Sequence, residues 1–345
     1  MLRRNAASHV ASRRPMMRFA PHAGHCMLAL TILLGAVPAG AADNATAAQQ
    51  AALGAPACRA IQPFYWEIGD RDGVLAGGGA PLDERTVARN TAMPVASASK
   101  WWYGAYVVEQ RQGALTDADL RALRMLSGYH DLRYGSCVRL IAARRERETV
   151  AECLSERGND TYTAADLDRF FYNGGHFQQH AVHEMGLGAA NNAELARRIN
   201  ETLGLHIRYD SPQPAGGGIA SASDYAIFLR RLLAGQLRLG TLLGAQAVCT
   251  QPGAACPSAV LTPVSNGEAW HYALAHWVED DPRAGDGAYS SPGAFGFYPW
   301  IDAHRRFYGI VARHSLHPKA HLQSVECGRL IRKAYLSESP DTSHP

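Results

Sequence analysis

The chain has 345 residues, with 34 Lys and Arg against 31 Asp and Glu, 47% apolar residues and seven cysteines. That length is enough for one large core or two lobes about a cleft. Five arginines, Arg3, Arg4, Arg13, Arg14 and Arg18, fall in the first 41 residues, which hold no acid. The remainder carries 29 basic and 31 acidic residues and so lacks the cationic field that nucleic acid or an anionic membrane surface would require.

Residues 1–41 read as a signal peptide: the basic head, an apolar run from Cys26 to Val37 too short to span a bilayer, then Ala39-Gly40-Ala41. Ser12-Arg13-Arg14-Pro15-Met16-Met17-Arg18 also resembles a twin-arginine signal, so both export routes are open. Either route implies a periplasmic or secreted protein with no stable membrane insertion after cleavage. Residues 42–57 are rich in Ala, Gln and Asn without apolar periodicity and read as a flexible lead-in, leaving 58–345 as the folded domain. Once Cys26 is removed, an even number of cysteines remains, which in an exported chain reads as disulfides with fifteen connectivities open. Short loops favour Cys137–Cys153 and Cys249–Cys256, and elimination leaves Cys58–Cys327. No C-x-x-C spacing suggests a metal cluster.

Phe64–Gly69 and Gly73–Gly77 are short apolar runs bounded by glycine and aspartate, the pattern of a hairpin. Next, Ser97 precedes Lys100 by three residues, and the apolar run Trp101–Val108 follows. Positions i and i+3 share a helix face, so the hydroxyl and the amine can meet. A lysine among tryptophans can lose enough basicity to its surroundings to take the serine's proton. Helical stretches follow over Ala118–Ser127, Val138–Arg147, Ala164–Phe171, Ala193–Leu203 and Ser223–Leu233. Strand-like runs return at Tyr272–Val278, Phe295–Ile301 and Phe307–Arg313, before a final helix over Leu322–Tyr335. Strands at both ends imply an α+β fold with a sheet lobe, about 58–105 and 265–340, and an all-helical lobe inserted over about 106–264.

Three more stretches carry information. Tyr172-Asn173-Gly174-Gly175-His176 sets a tyrosine in a glycine-rich turn opening onto a helix. Gly216-Gly217-Gly218 leads to a helix capped by Ser223 or Asp224, and Tyr272–Trp277 precedes Ser290-Ser291-Pro292-Gly293-Ala294. With Ser97 and Lys100, these resemble in order the motifs of the serine β-lactamase and penicillin-binding protein superfamily. The similarity is to the branch of class C β-lactamases, D-Ala-D-Ala carboxypeptidases, related esterases and 6-aminohexanoate-dimer hydrolases.

The resemblance implies a β-lactamase/transpeptidase-like fold, an antiparallel sheet flanked by helices, and an exported, metal-independent serine hydrolase with no cofactor. It makes Ser97 the acylated nucleophile, Lys100 its base and Tyr172 the proton relay, with the N–H groups of Ser97 and Ala294 as oxyanion hole. Asn173, Gly174, His176, Ser291 and Gly293 are the implied substrate-binding positions. The bond cleaved is an ester, an amide or β-lactam-like, in a small-molecule or cell-wall-derived substrate. Two positions depart from the family pattern. Gly174 stands where Y-x-N has asparagine, and Ser291 stands where β-lactam and D-Ala-D-Ala enzymes have a cation for the substrate carboxylate. The second departure favours substrates without that carboxylate. One alternative is an inactive member of the fold that binds cell-wall fragments or a partner. Another is a zinc protein, because His176, His180 and His183 share a helix face.

Overall fold

The computed structural model describes residues 39–133, 137 and 147–337. The leader other than its last three residues, Cys26, the twin-arginine-like stretch and the helix expected over 138–147, other than Arg147, lie outside the described residues. Helix α1 (Ala39–Gly54) and the short α2 (Pro56–Arg59) precede the hairpin of β1 (Phe64–Gly69) and β2 (Val74–Ala80). Strand β3 (Met93–Pro94) runs into helix α3 (Ser99–Gln110), and α4 (Asp117–Leu123), α5 (Val150–Ser155), β4 (Phe170–Phe171), α6 (Gly175–His183) and α7 (Asn192–Leu203) follow. Next come β5 (Arg208–Tyr209), β6 (Gly218–Ala220), α8 (Ala222–Leu233), β7 (Val248–Cys249), β8 (Ala259–Leu261) and β9 (His271–Tyr272). The chain closes with β10 (Trp277–Glu279), β11 (Ala288–Ser290), β12 (Tyr298–Ile301), β13 (Tyr308–Ala312) and helix α9 (Ala320–Ser337).

An eight-stranded sheet in the order β2-β1-β13-β12-β11-β10-β9-β7 brings the two ends of the chain together, with Tyr65 opposite Ala312 and Gly69 opposite Tyr308. Its neighbouring strands are antiparallel. Every residue of β1 and β13 is buried, which is why both read as unbroken runs and not as alternating ones. Helices α8 and α9 both pack on β12 and β13. The one carboxylate in β1, Glu67, is 1% exposed and fully engaged: it accepts from Arg89 Nε at 2.6 Å, Tyr308 OH at 2.9 Å and Tyr65 OH at 3.0 Å. A buried charge is tolerated when it is paired and hydrogen-bonded in this way.

Several expectations are corrected. The lead-in expected to be flexible forms most of α1, which packs on α9 and β2 with Ala48 and Ala52 fully buried. Alanine favours helix and lets two backbones approach closely, a pattern without the large apolar side chains that usually betray a buried face. The helix expected over Ala164–Phe171 is a single 3-10 turn, Ala164–Asp166, followed by extended chain, because Phe170 and Phe171 pair in parallel with β8. Tyr272–Val278 is a hairpin and not one strand: the chain reverses at Ala275 (φ 62°) so that Tyr272 faces Trp277. The cap of α8 is Ser221, in a capping box with Asp224. Helix α8 rests on the sheet and β7 joins its edge, so the inserted helical lobe is shorter than expected.

Disulfides join Cys58 to Cys327, Cys137 to Cys153 and Cys249 to Cys256, the pairing read from the sequence. No helix among the described residues is long and apolar enough to cross a membrane. The Cys58–Cys327 bridge ties α2 to α9 across 269 residues of sequence, whereas Cys249–Cys256 closes a separation of seven. Because the constraint on the unfolded chain grows with loop length, the double variant Cys58→Ala/Cys327→Ala should lose about 2–5 kcal/mol in denaturant unfolding. The loss should exceed that of Cys249→Ala/Cys256→Ala measured in the same way.

Candidate active site

Strand β3 delivers the serine. Met93 and Pro94 pair with Ala220 and Ile219 of β6, and the Val95 N–H donates to the Gly218 carbonyl at 2.9 Å. The chain then turns at Ala96, whose φ of 46° costs of order 1 kcal/mol in a residue with a side chain, and Ser97 sits in the 3-10 turn that opens α3. Three bonds hold the turn: Ser99 Oγ donates to the Ala96 carbonyl at 2.7 Å, the Gly218 N–H to Ser99 Oγ at 3.0 Å, and Tyr225 OH to the Ala98 carbonyl at 2.8 Å. Gly218 must lack a side chain, since a Cβ there would lie 2.5 Å from Ser99 Oγ and 2.7 Å from the Trp102 ring. Of the glycine triplet, Gly218 therefore serves close packing beneath the serine, while Gly217 packs against Ser211.

Lys100 Nζ lies 3.0 Å from Ser97 Oγ and donates to the Ala215 carbonyl at 2.8 Å. It is 4% exposed, and burial alone brings its amine from the ordinary 10.5 down to about 7. Around it, Trp101 and Trp102 are lobe packing: Trp101 stacks on His276 and Trp102 lies against Tyr225. Because no carboxylate among the described residues pairs with the amine, a neutral form with a free lone pair is available near neutral pH.

Extended chain from β4 delivers the phenol. The Tyr172 N–H donates to the Leu261 carbonyl at 3.0 Å, and Lys100 Nζ stands 4.9 Å from the Tyr172 ring centroid. Burial pushes the phenol up to about 12, while hydrogen bonding with Ser97 and with Trp277 pulls the other way. Serine, amine and phenol thus meet at one point although they come from distant parts of the chain.

The loop after β11 forms another wall. Ser291 Oγ donates to the Ser97 carbonyl at 3.1 Å and is 3% exposed. Its hydroxyl holds the backbone of Ser97, a different task from the substrate contact expected of it. Gly293 is there because a Cβ would lie 2.0 Å from the Val95 carbonyl oxygen. The turn's own bonds run from Gly293 N–H to Phe297 and from Gly296 N–H to Gly293, and Ala294 faces the cleft beside Ser97.

The remaining expected substrate contacts do not reach this point. Asn173 Oδ1 accepts from the N–H groups of Gly175 and Leu132 at 2.7 and 3.2 Å, so its amide is spent on the turn. Gly174 packs on Leu132 and Ala215, from whose side chains a Cβ there would lie 2.8 and 3.3 Å. His176 is buried with both nitrogens committed: Nε2–H donates to the Phe171 carbonyl at 2.8 Å, and Nδ1 accepts from Ser127 Oγ at 2.7 Å. Burial pushes its imidazole down to about 3, so it is neutral. The zinc alternative fails for a related reason. His180 is bonded to Tyr103 OH and Asp119 at 2.7 and 2.8 Å, His183 is exposed, and no group of three His, Cys, Asp or Glu among the described residues could hold a metal.

Ser97 and Tyr172 open onto a small cleft. Trp270, Trp277 and the turn Pro263-Val264 make its apolar wall, and His321 from the start of α9 completes it. No lysine or arginine lines the cleft among the described residues. Sequence reasoning missed Trp270, Pro263, Val264 and His321. They are separated from every motif along the chain, and only the closure of β9, β10 and α9 on the sheet brings them to the serine.

No family model and no curated protein matches the chain. Solved structures do. EstCE1, a hydrolase with promiscuous acyltransferase activity, is 14% identical over 86% of this chain and 99% of its own, with a TM-score of 0.61. D-Amino acid amidase from Ochrobactrum anthropi SV3, complexed with L-phenylalanine amide, is 12% identical over 86% and 99%, with a TM-score of 0.60. A β-lactamase from Mycobacterium bovis is 12% identical over 84% and 99%, with a TM-score of 0.56. What these proteins share with the chain is its architecture: it has the β-lactamase/transpeptidase-like fold.

Proposed function

We propose that this protein is an exported serine hydrolase that cleaves an ester or amide by way of an acyl-enzyme on Ser97. The observation that carries the reading is the 3.0 Å approach of Ser97 Oγ to an amine that burial has brought to about 7. That a hydrolase and a D-amino acid amidase share this fold supports it, as does the phenol beside that pair. The leader and the three disulfides support a site of action outside the cytoplasm, where such bonds persist.

The chemistry balances with the groups at hand. The Lys100 amine takes the Ser97 proton as Oγ bonds to the substrate's carbonyl carbon, and the N–H groups of Ser97 and Ala294 receive the negative charge that forms on the carbonyl oxygen. As the bond to the leaving group breaks, Tyr172 gives that group its proton and recovers one from the Lys100 ammonium. Water repeats the sequence on the acyl-enzyme, releasing the acid and restoring Ser97. With an apolar cleft and Ser291 turned to the backbone, the favoured substrate has a neutral acyl group and no carboxylate to anchor.

A fluorophosphonate probe should label Ser97 in the native protein and leave folded Ser97→Ala unlabelled, as read by intact-protein mass spectrometry. Equal labelling of both would remove the mechanism. Hydrolysis of a chromogenic short-chain ester should rise with pH through about 7, since the amine is a base only after losing its proton. Lys100→Arg, which keeps the charge at all working pH values, should lower kcat/KM about 100- to 10,000-fold. A protein that binds such esters without turning them over would instead be the non-catalytic member of this fold.

A further inference from the structure

We propose that Arg313 and the loop after β13 form a binding site for a small oxyanion, a phosphate or a carboxylate group. The site shares no residue with the cleft at Ser97 and stands independently of the acyl-transfer reading.

Arg313 follows the last residue of β13 and its side chain is drawn inward with that strand, to 4% exposure. Its guanidinium meets only neutral oxygens. One Nη donates to the Ile61 carbonyl and the other to Gln323 Oε1, both at 3.2 Å, and Nε has no partner. No carboxylate among the described residues pairs with it. Arg332, 1% exposed, shows what burial of the same group looks like when it is compensated: it reaches both oxygens of Asp286 at 2.7 and 2.8 Å and Glu279 at 3.2 Å. A buried charge is costly unless it is paired and hydrogen-bonded, and Arg313 lacks that pairing. Burial brings its guanidinium from the ordinary 12.5 down to about 10, so it is still a cation at neutral pH.

The arginine borders a depression in the surface together with Gln62, Ser315, His317 and Gln323, and no Asp or Glu lines it. Two more donors stand there. The Lys319 N–H donates to His317 Nδ1 at 3.1 Å, which places the ring proton on Nε2 and leaves that N–H to face a ligand. Ser315 Oγ accepts from the His317 N–H at 3.2 Å and keeps its own proton to give. A guanidinium, an imidazole N–H and a hydroxyl around one depression are the chemistry that holds an oxyanion through charge-assisted bonds. The loop is also fixed. The Ser315 N–H donates to the Phe295 carbonyl at 2.9 Å, and Gly296 packs so near that a Cβ there would lie 2.5 Å from Arg313 Nε. Donors held in place in this way lose little freedom when a ligand arrives.

The test follows thermal unfolding of the full protein at neutral pH in rising sodium phosphate and, separately, sodium acetate, with ionic strength held constant by sodium chloride. The midpoint should rise and then saturate, because an ion that binds only the folded chain stabilises it according to occupancy. Saturation by either ion carries the site, and the ion with the lower half-saturating concentration tells whether the ligand's group is a phosphate or a carboxylate. Arg313→Met should raise that concentration about tenfold to a hundredfold, the range for loss of a hydrogen bond to a charged group. Should Arg313→Met not fold, Gln323→Glu keeps the arginine and gives it a carboxylate of its own, and the response to added ion should be lost. Ser97→Ala should respond as the native protein does. The site is overturned by the lack of a saturable rise with both ions, by a rise that Arg313→Met or Gln323→Glu keeps at the native half-saturation, or by a rise that disappears in Ser97→Ala.

Discussion

Everything at the site depends on one uncompensated burial, that of Lys100. An ammonium held at 4% exposure without a carboxylate partner is a cost to the fold, and the fold meets it by letting the amine be neutral. The apolar helix α3 carries the lysine inward, the Ala215 carbonyl accepts a hydrogen bond from it, and Gly218 lets β6 lie against the first turn of α3. A carboxylate in the place of that carbonyl would hold the charge on the amine. The same constraint accounts for Ala96: to bring the hydroxyl to the amine, the chain accepts a left-handed turn in a residue that does not favour it.

Much of this was legible in the sequence, and the reasons are physical. Ser97, Lys100 and Tyr172 could be found because each is a reactive side chain beside local punctuation: an apolar run after the first two and a glycine turn after the third. The hairpin of β1 and β2, and the helices α7, α8 and α9, announced themselves by periodicity and by flanking glycine or aspartate. The errors share a cause. The stretch Ala164–Phe171 has helical composition, yet its second half is pulled into a strand by β8, some ninety residues on, a partner that no local window contains. Tyr272–Val278 reads as a strand because nothing in an apolar run marks the reversal at Ala275.

Substrate contacts were the least legible part. Asn173, Gly174 and His176 stand beside a reactive tyrosine and could be taken for binding residues, yet each spends its hydrogen bonds or its small size on holding the turn that presents that tyrosine. The groups that do face the cleft, Trp270, Trp277 and His321, belong to elements that reach the serine only through the sheet. Short motifs thus marked Ser97, Lys100 and Tyr172, while the surroundings of these side chains were decided by topology.

The pairing of β1 with β13 also governs when the fold can exist. A polypeptide emerging from its N-terminus first must carry Phe64–Gly69 without its inner neighbour until Tyr308–Ala312 has appeared, so the centre of the sheet closes only when almost the entire chain is available. Until then the serine turn is formed by residues whose supporting walls have not yet been synthesised. A serine and an amine brought together this late have their full surroundings only once both ends of the sheet have been made.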